Sequence, residues 1–115
     1  MKDHSKMSDF EICGYVSMHE HGFSWIEFDD EMSSHVKCGN EGSPGFAIVE
    51  VKDYCNNPSD AWPIIVSMIS GGCIVQMLKA GVIVTLQGGG RIQVMDKNPL
   101  RVAMIAFLMM KDEEK

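Results

Sequence analysis

The residues best placed by type and spacing to do chemistry gather around two Asn-Pro pairs, Asn57-Pro58 and Asn98-Pro99, each followed by an apolar run. Asn favours the N-cap because its side-chain oxygen accepts an orphan backbone N–H, and Pro suits the first helical position, where its missing N–H costs nothing. Two helix starts are therefore expected. Such a start presents free N–H groups and the positive end of a dipole, which together receive anions. Lys97 and Arg101 flank the second pair, Arg91 stands shortly before it, and Trp62 in the first run offers a ring on which a base can stack. If the two starts meet at a subunit seam, Asn57, Asn98, Lys97, Arg101, Arg91 and Trp62 form a receptor for a phosphorylated small molecule. The plainer reading has both Asn as caps, Trp62 in the core and the cations solvated.

Other chemistry-bearing types fit their reactions less well. His19-Glu20-His21, and His35 with Cys38, supply imidazole and thiol groups of the kind zinc takes, but His19 and His21 fall on different helix faces and the HExxH spacing is missing. The acidic tip Asp29-Asp30-Glu31 lacks the glycine of a calcium loop and reads as a solvated turn. Catalysis by Cys55 would need a basic partner in space, such as His35. Gln87-Gly88-Gly89-Gly90-Arg91 is as flexible as a phosphate cradle yet lacks the Lys and Ser/Thr of a P-loop, so a turn between strands is the better fit. No set of nucleophile, base and orienting group emerges, so catalysis is not expected and no cofactor or metal is implied.

Composition sets the outer bounds. A chain of 115 residues with 45% hydrophobic content suits a single domain with its own core, with 1–7 and 111–115 as loose ends. The net charge of −6 argues against non-specific nucleic-acid binding. The acids are uneven: 12 against 4 bases in residues 1–60, and 4 against 6 thereafter. Cys13, Cys38, Cys55 and Cys73 form no CxxC pair and read as reduced, packed thiols. The start lacks an apolar signal region, and the run from Val102 to Met110 falls well short of the ~20 residues that span a bilayer, so a cytoplasmic protein is expected.

The elements that must position these residues follow from local pattern. Ser8 and Glu11 have the spacing of a capping box, predicting a helix over Asp9–Glu20 that Gly14 weakens. Phe23–Phe28, His35–Cys38 and Phe46–Val51 read as strands, the last two separated by the turn formers of Gly39–Gly45. A helix runs from Pro58 to the Gly71-Gly72 stop, with Pro63 expected to bend or restart it. Cys73–Lys79 fits a helix and a strand equally well. Val82–Leu86 and Ile92–Met95 form a hairpin around the three glycines. The last helix begins at Pro99 and is apolar on every face from Val102 to Met110, so it must be central or lie at an oligomer interface, and a homo-oligomer is expected. The class is α+β: a small antiparallel sheet with about three helices.

Longer blocks carry a family resemblance. Tyr54–Val66, reading YCNNPSDAWPIIV, together with Asp96–Arg101, Ala103–Ile105, Phe107–Met110 and the opening Ser8–Ile12, resemble the signature blocks of the NinX-like small proteins of temperate phages of enteric bacteria. The resemblance spans about half the chain and leaves Gly14–Val51 and Ser70–Met95 unmatched. It implies an accessory protein acting inside a bacterial host and brings no catalytic residues with it. In that setting the expected function is non-catalytic binding that withholds a phosphorylated or nucleotide ligand of host antiviral defence. The alternative is a protein-binding inhibitor or adaptor of a host protein, using the acidic Glu27–Glu31 face or an apolar patch. A nucleotide hydrolase is the weaker third.

Overall fold

The computed structural model describes residues 6–28, 34–79, 81–86, 88–96 and 98–113. Helix α1 spans Asp9–Glu20, and its start is the expected capping box: the Glu11 N–H donates to Ser8 Oγ and the Ser8 N–H to Glu11 Oε1, both at 3.1 Å. Strands β1 (Trp25–Glu27), β2 (His35–Gly39) and β3 (Ala47–Glu50) follow as an antiparallel meander. Helix α2 (Pro58–Ser70) leads into β4 (Ile74–Leu78), β5 (Gly81–Thr85) and β6 (Arg91–Met95), a second meander, and α3 (Pro99–Glu113) comes last.

The α+β class with three helices stands, with the antiparallel strands divided into two three-stranded sheets. The ambiguous Cys73–Lys79 segment is a strand because Ile74–Leu78 pairs residue for residue with Gly81–Thr85. Pro63 does not break α2; it is exposed, as is Ser59, whose carbonyl it deprives of a donor.

Helix α3 is central. Seven consecutive residues, Val102 to Leu108, are buried, and the helix touches α1, α2, β5 and β6 of its own chain. Its all-round apolarity is thus met within one copy, and the expectation of an oligomer loses the argument it rested on. The main core joins α1, α2, α3 and the β4-β5-β6 sheet, while a smaller one of Met18, Val36, Cys38 and Val49 lies between α1 and the β1-β2-β3 sheet. Helix α1 therefore serves both cores. Gly14 is what lets it do so, since a Cβ there would stand 2.6 Å from the Phe28 ring.

Candidate functional site

The two Asn-Pro starts do come together. Asn98 is the N-cap of α3: its Oδ1 accepts from the Leu100 and Arg101 N–H groups at 3.0 and 3.2 Å. The same side chain reaches across to the turn before α2, its Nδ2 donating to the Cys55 carbonyl at 2.8 Å and to Asn56 Oδ1 at 3.2 Å. Asn56 in turn donates to Asp9 and Asp53. Asn57 caps α2 through the Ser59 N–H at 2.9 Å, and Asp60 in the first turn accepts from the Asp53 N–H. One polar junction thus links α1, the pre-α2 turn and α3.

Arg101 is held inside it. Its guanidinium, with the side chain 14% exposed, contacts the Asp9 carboxylate, the Met7 carbonyl at 2.6 Å and Asp96 Oδ2 at 3.5 Å. A partly buried Arg with carboxylates from two elements works as a clamp, its planar fork fixing their relative direction. The helix-start donors that an incoming anion would use are met by Asn98 and Asn57.

The other predicted residues lie apart from this junction. Trp62 is 59% exposed on the outer side of α2, not in the core. Arg91 begins β6, opposite Thr85, and is exposed. At a strand rise of ~3.3 Å per residue, it stands about 13 Å along β6 from Met95, the end that leads to α3. Lys97, Gln87 and the Asp29–Glu31 tip lie outside the described residues.

His35 Nδ1 is 2.9 Å from Ser34 Oγ, and His35 and Cys38, an odd number apart on β2, point to opposite faces. His19 sits edge-on to the Phe107 ring and His21 near Phe23. Among the described residues, no three His, Cys, Asp or Glu side chains converge as a metal cage would require. The glycines after Leu86 close a hairpin turn, with the Leu86 N–H donating to the Gly90 carbonyl and the Gly89 N–H to the Leu86 carbonyl.

The neighbour of Cys55 is a second thiol, Cys13 of α1, at an Sγ–Sγ distance of 3.6 Å. Hydrogen bonding from Cys55 lowers the Cys13 pKa against the opposing effect of burial. For Cys55 the same bond and burial both push the thiol well above its ordinary range. Beside the pair is a cavity of about 200 Å³ lined by Asp9, Phe10, Cys13, Ser34, Val51, Lys52 and Asp53. Sequence reasoning passed over Asp9, Asn56 and Cys13, because nothing in local pattern ties α1 to residues 42 to 92 positions away.

A small α+β protein whose two Asn-Pro helix starts interlock, with their block residues serving as caps and core, is what these observations define. The family described as Bacteriophage P22, NinX matches residues 3–111, and the chain belongs to it. Among curated proteins and among solved structures, none matches this chain. The match takes in Gly14–Val51 and Ser70–Met95, which the signature blocks alone had left out. Among the described residues, no helix is long and apolar enough to cross a membrane.

Proposed function

We propose that this phage protein acts by non-catalytic binding in the host cytoplasm, and that its partner is a host protein received on the surface formed by α2 and β4. The observation that carries this reading is the uncovered apolar surface there. Trp62, Val66 and Ile69 repeat at helical spacing along the outer side of α2, all exposed. In the adjoining sheet, Val82, Val84, Ile92 and Val94 are buried, and α3 packs on β5 and β6. Strand register then turns Ile74, Leu78, Ile83 and Met95 to the opposite face, where Ile74 is 62% and Met95 57% exposed. β4 is also an edge strand with neither Pro nor charge in Ile74–Leu78 to discourage pairing. Large apolar groups left exposed along a helix side and on the face of a neighbouring sheet are of the kind that protein contact surfaces use.

Reversing the surface tests the idea. Trp62→Arg combined with Ile74→Lys touches only exposed positions, so the unfolding midpoint stays within error of the parent. Cross-linked capture of a host protein from infected cells is lost in that variant. Capture at the parental level by the folded variant overturns the assignment. Sedimentation of the purified chain identifies a second copy as the occupant if the parent is dimeric and the variant monomeric.

Withholding of a phosphorylated ligand draws less support. The starts converge, but their donors and Arg101 are taken up by Asn98, Asp9, Asp96 and the Met7 carbonyl. A nucleotide panel that raises the melting temperature of the parent protein would restore it.

A further inference from the structure

We infer that Cys13 and Cys55 are a peroxide-reactive dithiol that closes to a disulfide, fastening α1 to the turn that starts α2. Three features of the site meet. The two Sγ atoms are already 3.6 Å apart, so a shift of under ~2 Å brings them to bonding distance, about 2.05 Å. The pair is sealed from bulk solvent on the Cys55 side, where the residue is fully buried, whereas Cys13 lines the cavity of about 200 Å³, which is large enough for hydrogen peroxide. Cys38 lies in the separate smaller core, and Cys73 faces the Met110 thioether at 3.5 Å, so neither has a thiol partner in reach of this pair. The division of roles follows from the environment: Cys13, the thiol more easily ionised, is the attacking group, and Cys55, kept protonated, resolves.

The chemistry balances with hydrogen peroxide as oxidant. The Cys13 thiolate attacks one peroxide oxygen, the O–O bond breaks, and Cys13 becomes a sulfenic acid as hydroxide leaves. The Cys55 sulfur then attacks the Cys13 sulfur; the S–O bond breaks, the Cys55 proton goes to the departing hydroxyl, and water leaves. Two thiols and one peroxide give one disulfide and two waters. The new bond closes a loop running from α1 through the β1-β2-β3 sheet to the turn that Asn98 holds. This inference is independent of which partner binds α2 and β4.

The test uses the full reduced chain titrated with hydrogen peroxide, alkylated and mapped without reduction. The expected result is a loss of two hydrogen masses per chain, a single Cys13–Cys55 linked peptide, Cys38 and Cys73 fully alkylated, and reversal by dithiothreitol. A Cys38→Ala, Cys73→Ala variant keeps the response, and Cys13→Ser abolishes it. Oxidation of Cys38 or Cys73 ahead of the pair, accumulation of sulfinic acid on Cys13 with Cys55 still alkylatable, or no thiol loss overturns the assignment. The mapping on the parent chain decides the matter alone if the Cys13 variant does not fold.

Discussion

Asn98 performs two tasks with one side chain, capping α3 through Oδ1 and tying down the Cys55 carbonyl through Nδ2. The tasks separate by substitution. Asn98→Asp keeps an oxygen for the cap but sets a carboxylate against the carbonyl, so a loss of about 1–3 kcal/mol in urea unfolding is expected. Asn98→Ala loses both and costs about 2–4 kcal/mol. A loss under ~1 kcal/mol for Asn98→Ala would mean that the junction does not stabilise the fold. Arg101→Lys should destabilise too, because a single ammonium cannot reproduce the fork between Asp9 and the Met7 carbonyl. The cap was legible in the sequence, since an N-cap bonds within its own turn. The donor to a residue 43 positions away was not, and neither was the pairing of Arg101 with an acid 92 positions distant.

Among the elements, α1 is where local preference and packing pull in opposite directions. Gly14→Ala raises helix propensity by up to ~1 kcal/mol, yet its methyl enters the space of the Phe28 ring, and overpacking typically costs about 1–3 kcal/mol. A net loss of stability is therefore expected by thermal melting, and the same change in a Phe28→Ala background should be neutral or stabilising. The capping box, both Asn-Pro starts and the glycine hairpin could be read directly, each being a contract between near neighbours. β4 could not, because CIVQMLK satisfies either period and only pairing with β5 decides it. Nor did the sequence show which side of α2 faces outward. Trp62 with Ile and Val at helical spacing looks like core, and only the positions of α3 and β4 show that Ala61, Ile64, Ile65 and Met68 form the inner side.

At the scale of the whole molecule, stability should fall in mildly alkaline solution. Burial raises the pKa of the Cys38 thiol and of the Tyr54 phenol. The unfolded chain then gives up these protons first, and the equilibrium shifts toward it as pH rises through the ordinary thiol range near ~8.5 and the phenol range near ~10. The Cys55 thiol, pushed up by its bond to Cys13 and by burial, adds to this decline, whereas the lowered Cys13 thiol opposes it. Melting temperature should thus decline from about pH 8 upward, and Cys38→Ala should lessen the earlier part of the decline. A flat profile to about pH 10 would contradict the burial argument. Met104, fully buried at the middle of α3, should cost about 2–5 kcal/mol on truncation to Ala.

The placement of α3 also has a bearing on how the chain comes into being. Ile12, Ile64, Met68, Val82 and Val84 all share the core that this final helix fills. While synthesis is in progress those side chains have no counterpart to close on, and the nascent chain must carry bare apolar surface until the ribosome has released the residues beyond about 108. Folding is thus expected to be all-or-none and to wait for α3, making newly made copies clients of host chaperones for that interval.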